Sequence, residues 1–449
     1  MMRWDRLLST KRLGQEAPRP ADVHRSPYEV DVDRFLFSSA FRRLQNKMQV
    51  HGPSLLSDQP GDYVRNRLTH SLEVSRVGRS LGQMAGAYLV AHRLVEGISP
   101  ADIGHIVSAA AICHDIGQTP FSHQAEKAIS AWWKTSALAQ EILDGLPESF
   151  RHELTRFEGN AMGFRLLTRL EGWQPHGGLQ LTCATLAAYS KYPWSGGLPE
   201  SERPHPMKYG LFESELDLFA EVAATTGLIE TGRAIWCRHP LAHLMEAADD
   251  ICYRIVDVED AVLMGALAFA EAETVLAPLA DIQPEYRGLA GTERKLSYLR
   301  ARAISTLIEG TIEVWQDQHD AILRGEKIPP LLQLSRHGGA LDGIEKLTRR
   351  KIYRGERRAE TMLIASRTID VLLDALAGMF LRRETTRVDG ELGLRDNAVL
   401  DVVNQHRGEG PDWSRVRVLW VREMMDHVAS LTDRAAIREA RLFSGGIAL

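Results

Sequence analysis

Residues 106–126 read IVSAAAICHDIGQTPFSHQAE. The run from Ile106 to Ile116 is apolar without the alternation of a half-exposed strand, and it closes on His114–Asp115 with Gly117 behind as a helix stop. It reads as a buried helix with an imidazole and a carboxylate at its C-terminal end. A buried charge needs a partner. A metal ion is one such partner and a hydrogen-bonded core pair is another.

Outward from this stretch, apolar residues recur at helical spacing over residues 68–96, 100–116, 121–135, 158–171, 180–190, 213–225, 241–267, 293–309, 359–382 and 413–431. Alternating β-branched runs are nearly missing, so an all-α fold is expected. The spacing divides the chain into an N-terminal segment (1–64), a central core (65–267) and a C-terminal helical region packed on it (268–449). Residues 192–210, YPWSGGLPESERPHPMKYG, read as a loop forming a lid or a site wall. Residues 281–291 and 325–343 are weaker breaks, and 387–410 reads as an irregular or hairpin segment.

The 449 residues are 44% hydrophobic and 25% charged with a net charge of −5, a balance that excludes disordered, collagenous and disulfide-stapled classes. No apolar run has the length of a membrane span. The first residues carry basic side chains without a following apolar leader, so a cytoplasmic location is expected. Cys113, Cys183, Cys237 and Cys252 are scattered and read as small core residues in a reducing compartment. Seven of the thirteen residues 346–358, KLTRRKIYRGERR, are Lys or Arg, which suits either a solvated face or a contact with phosphate or nucleic acid.

Other polar residues interrupt apolar stripes. His70 is in register with Val74, Val77 and Leu81; Asp249 shares a face with Met245, Cys252 and Val256, whereas Asp250 aligns with Glu246 and Arg254. Together with His114 and Asp115 they form a mixed nitrogen and oxygen set from three helices, suited to a divalent ion with open positions. Thr119 and Pro120 read as the cap and first turn of a helix on which His123 and Glu126, three apart, share a face, so that the carboxylate can orient the imidazole for proton transfer. Arg67 stands three before His70, and Arg65, Lys191 and Tyr192 are further candidates for an anionic substrate. Tyr253 and Asp257 follow Asp249 at helical spacing as a ridge for a sugar or base.

These residues carry a resemblance. RNRLTHSLEV (65–74), HDIGQTPFSHQAE (114–126) and MEAADDICYRIVDVEDA (245–261) resemble the HD superfamily, and within it the deoxynucleoside triphosphate triphosphohydrolases typified by bacterial deoxyguanosine triphosphate triphosphohydrolases. SSAFRRLQNKMQV (38–50), FEGNAMGFRLLTRLE (157–171), LTCATLAAYSKYP (181–193) and KYGLFESE (208–215) support it. The resemblance implies a helical fold and removal of the whole triphosphate from a deoxynucleotide. It implies His70, His114, Asp115 and Asp249 as metal ligands and His123 with Glu126 as the catalytic pair. Gln49, Arg67, Asn160, Lys191, Tyr192, Tyr253 and Asp257 are the implied substrate contacts. It implies a divalent metal, Mg or Mn foremost with Co, Ni, Fe or Zn as further fits, a homo-oligomer, and a nucleotide or single-stranded DNA effector. This sequence departs from many relatives in having Gln118 in place of His and Ser122 in place of Gly. Two other functions fit the residues: an HD-type nucleotidase or phosphodiesterase, and a nucleic-acid-binding regulatory protein with a structural metal.

Overall fold

The computed structural model describes residues 1–18, 24–48, 65–172, 177–352, 356–385, 393–405 and 416–446. The helices that position the site are numbered in chain order: α1 (Pro27–Leu36), α2 (Arg67–Ala91), α3 (Pro100–Cys113), α4 (His123–Thr135), α5 (Gly159–Arg165) and α6 (Cys183–Tyr189). They continue as α7 (Ala242–Leu263), α8 (Thr292–Asp317), α9 (Gly338–Lys351), α10 (Glu356–Thr385), α11 (Arg417–Ser430) and α12 (Asp433–Phe443). Among the described residues the only strands are β1 (Glu230–Gly232) and β2 (Ile235–Trp236), a small antiparallel pair. The fold is all-α, as the periodicity indicates.

At its centre α2 and α3 lie antiparallel. Both begin with a capping box: Asn66 and Thr69 exchange side-chain and backbone hydrogen bonds at the start of α2, and Ser99 and Asp102 do so at the start of α3. The pair packs backbone to backbone because α2 carries glycine where the helices touch. A Cβ on Gly82 would stand 2.7 Å from Ile103 O and 2.8 Å from Gly104 Cα, and one on Gly86 would stand 2.7 Å from Pro100 Cα. This register, followed along two antiparallel helices, sets His70 near the start of α2 opposite His114 at the end of α3.

Helix α7 packs across both, α1 and α6 flank α3, and α8 covers α2 and α7. One contiguous core contains side chains from Met2 to Phe443, so the N-terminal segment, the centre and the C-terminal helices share it. Trp4, Tyr88, Trp315 and His319 form an aromatic cluster at one end, with Trp4 Nε1 donating to His319 Nε2 at 3.1 Å. All four cysteines are buried and unpaired. Among the described residues no helix is long and apolar enough to cross a membrane.

Several sequence expectations change. The helix expected from residue 121, with Thr119 as cap, begins at His123: Phe121 (φ 60°) and Ser122 (φ 56°) are left-handed, and Thr119 Oγ1 donates instead to Ser122 O at 2.9 Å. Within 387–410 a helix, Leu394–Gln405, stands where an irregular or hairpin segment is expected, and the flanks lie outside the described residues. The break at 325–343 contains Leu331–Leu334 and the start of α9. Helix α12 has no counterpart in the sequence reading. Its charges mask a stripe of Ala436, Ala440 and Phe443 that is buried by tertiary contact. The proline-rich 192–210 stretch is a loop pinned as a wall: Trp194 Nε1 donates to Lys208 O at 2.7 Å and Gly196 N to Leu211 O at 2.9 Å.

Candidate metal centre and active site

His70 is 2% exposed, and its Nε2 lies 3.2 Å from Asp249 Oδ1 on α7. His114 follows the last residue of α3 and meets His70 edge-on, with ring centroids 5.3 Å apart. Its Nδ1 donates to Ala111 O at 2.6 Å, which orients the ring and leaves Nε2 facing the carboxylates. That Nε2 lies 3.3 Å from Asp115 Oδ2 and 3.4 Å from Asp249 Oδ1 without a hydrogen bond, and His70 Nδ1 is likewise buried without one. Ligand atoms of His70, His114 and Asp249 all lie within 4.8 Å of one another, with Asp115 beside them.

Electrostatics favour a cation at this point. Burial lowers the His114 pKa, but the charges of Asp115 and Asp249 overcome it and raise the group to about 9. Burial pushes both carboxyls up, yet Arg67 and His114 hold Asp115, and His114 and His70 hold Asp249, below the usual carboxylate range. Two imidazole nitrogens and two ionised carboxylates, with buried ring nitrogens left unbonded, fit a divalent metal ion of the hard to borderline kind.

The second part of the site is on α4. His123 Nδ1 donates to Glu126 Oε2 at 2.8 Å, while Glu126 Oε1 accepts the Gly159 amide at 3.0 Å. Burial raises the Glu126 pKa, but the hydrogen bond and charge of His123, with Lys208 nearby, hold it below its usual value. The carboxylate therefore stays ionised and the imidazole presents Nε2 to the cleft. Lys208 Nζ lies 2.7 Å from Glu158 Oε2, and Asn160 Nδ2 donates to Glu158 Oε1 at 2.6 Å.

Both parts open into one cleft of about 1120 Å³, whose wall includes His70, His114, Asp115, His123, Glu126, Asn160, Lys191, Tyr192, Asp249 and Tyr253. Arg67 is buried in it, paired with Asp115 and donating to Ser122 Oγ at 2.9 Å. Lys191 pairs with Glu246 at 3.2 Å, and the Tyr192 ring is flanked by Lys191 and Arg238, each 5.6 Å from its centroid.

Three expectations fare differently. Asp257 is 2% exposed and is not part of the cleft wall, so the ridge expected at Tyr253 and Asp257 presents only Tyr253. Arg65 turns away to Glu73, Glu259 and Asp260. Gln49 lies outside the described residues. The structure also brings in residues the sequence reading passed over, among them Glu246, Asp250 and Lys208. From the basic stretch it brings Thr348 and Arg349, while Arg350 and Lys351 pair with Glu271 at 3.8 and 3.5 Å. Helical phase groups Glu246 with Asp250 but gives no sign that Lys191 folds over them.

A helical fold with two His and two Asp gathered on three helices defines an HD-type, metal-dependent phosphohydrolase. Residues 67–158 match the model of the HD domain. The chain is 37% identical over 452 residues to a "Deoxyguanosinetriphosphate triphosphohydrolase-like protein" of Pseudomonas aeruginosa, covering 99% of both chains. A protein of the same name from Synechocystis is 38% identical over 97% of both, and one from Listeria innocua is 28% identical over 97% of this chain and 98% of its own. The chain belongs to this deoxyguanosinetriphosphate triphosphohydrolase-like family of the HD superfamily.

Proposed function

We propose that the protein hydrolyses deoxynucleoside triphosphates to a deoxynucleoside and inorganic triphosphate. The observation that carries this reading is the opening of the His70–His114–Asp115–Asp249 cluster and the His123–Glu126 pair into one cleft large enough for a nucleotide. A divalent ion held by those four residues, with Mg or Mn foremost, supplies Lewis acidity toward a phosphoryl oxygen and a lowered pKa for water.

The chain's own groups do the rest. Arg67, Lys191 and Lys208 set positive charge along the wall, where a polyphosphate needs it. Attack at the α-phosphorus breaks its bond to the 5′ oxygen, and the departing alkoxide needs a proton. His123, held through Nδ1 by Glu126, keeps Nε2 toward the cleft to handle that proton. Tyr192 and Tyr253 offer ring faces to the sugar or base, and Asn160 offers an amide. Gln49 stays in the proposal through its position in the chain. Asp257, buried one turn beyond Tyr253, is left out of the direct contacts.

Anion chromatography after incubation with Mn or Mg and each of the four dNTPs should show intact triphosphate. Pyrophosphate or single phosphate as the first product would reject the reading. His114→Ala should lose metal binding and turnover together, whereas His123→Ala should bind metal normally and turn over about 10²–10⁴-fold more slowly. The homo-oligomeric state, the cytoplasmic location and a nucleotide or single-stranded DNA effector belong to the same proposal. Light scattering with and without added dNTP or oligonucleotide tests the assembly and the effector.

A further inference from the structure

We propose that Asp433, at the start of α12, is a positioning residue that holds the turn carrying His123. The inference rests on the hydrolase reading above. Asp433 is 2% exposed, and its carboxylate grips two separate pieces of chain: Oδ1 accepts the Phe121 amide at 2.9 Å and Oδ2 accepts the Met48 amide at 2.8 Å. Phe121 and the next residue, Ser122, have φ of 60° and 56°, a region that L side chains rarely adopt. The tethered amide thus belongs to a strained turn, two residues before His123. Such a turn keeps its shape only where its surroundings over-determine it.

A second strut acts on the same turn. Lys47, 3% exposed, donates from Nζ to Gln118 O and, at 3.2 Å, to Ala429 O of α11. The turn is therefore held near both ends, residues 118 and 121, by contacts that run to the C-terminal helices. Asp433 is not occupied with capping its own helix, because Thr432 Oγ1 already accepts the Ala435 amide. A carboxylate also suits the place chemically: it is acceptor-only and can take two N–H groups, whereas an amide must turn a donor toward one of them. Burial pushes its pKa above the usual carboxylate value, and the two amides with the charges of Lys47 and Arg67 limit that rise.

The test is a cycle of Asp433→Asn and His123→Ala in the full chain, with Mn and dGTP as probes. Mn affinity by calorimetry should stay within about threefold of wild type, and hydrogen exchange of the segment containing Phe121 should accelerate. In the His123 background kcat should fall about 10- to 100-fold, the scale of a misplacement of about 1 Å. In the His123→Ala background Asp433→Asn should cost no further rate, because its effect runs through the imidazole. Losses that multiply, an unchanged kcat, or a loss that follows lost Mn would each overturn the inference. Should Asp433→Asn fail to fold, Lys47→Gln removes the other strut and is read in the same cycle. A wild-type protein that releases no triphosphate from dGTP overturns the function instead. Exchange then decides the clamp alone, with an unchanged Phe121 segment counting against it.

Discussion

His239 donates from Nε2 to Leu7 O at 3.1 Å and accepts the Leu241 amide at Nδ1, also at 3.1 Å, so the neutral ring has both nitrogens in use. Burial lowers its pKa from 6.5 to about 4, and burial with the charge of Arg238 does the same for His243. Between those values the unfolded chain binds protons that the folded one refuses. The stability these two rings contribute is therefore full above about pH 6.5 and is lost as pH falls through the window toward 4. Urea unfolding of wild type and His239→Ala at pH 7, 6 and 5 isolates that part of the pH dependence, each histidine adding at most about 1.4 kcal/mol per pH unit. His239→Ala should lower the starting stability and flatten that slope; an unchanged slope would contradict the assignment. Single residues were legible where a polar side chain broke an apolar stripe, as His70 and Asp249 do. Ser122 shows the next level down. Its backbone lies where glycine is favoured over serine, but a φ of 56° leaves no mark on a lone sequence. Arg65 and Arg67 look alike in sequence and part company only because Glu259 and Asp260 come in from another helix.

Among the elements, the α2–α3 pair decides where the ligands meet. Gly82→Ala would drive a Cβ to 2.7 Å from Ile103 O, a backbone atom that cannot step aside without moving α3. The expected cost is about 1–3 kcal/mol in denaturant unfolding. Mn affinity should weaken as well, because His70 and His114 move with their helices. Loss of stability at full Mn affinity would separate the two. The long helices were readable because their stripes are continuous. Helix α12 was not: five of its eleven residues are charged and interrupt a short stripe, and its orientation comes from α10 packed against it.

For the molecule as a whole, C-terminal helices tie back to the core through buried charge. Arg165 takes both Asp426 oxygens at 2.7 Å, Arg422 pairs with Glu153 at 2.5 Å, and Trp132 Nε1 donates to Asp374 at 2.8 Å. These pairings join residues more than two hundred positions apart, which is why no local pattern in the sequence announces them. Because the proposed metal ligands come from three helices of one shared core, ion binding should stabilise the entire fold. At Mn a hundredfold above its Kd the gain is about 2.7 kcal/mol, seen as a higher unfolding midpoint that a chelator reverses. His114→Ala should show no such gain; a full gain there would place the ion elsewhere.

The antiparallel pairing of α2 and α3 also separates two kinds of position by distance. Their ligand ends converge on the cleft, so the connector between them, residues 92–99, emerges at the opposite pole, where Gly97 has no atom within 4 Å of an added Cβ. Extra residues spliced into that connector leave the helical phase of both partners intact. A fluorescent or affinity tag inserted there would report on the working enzyme from its far side.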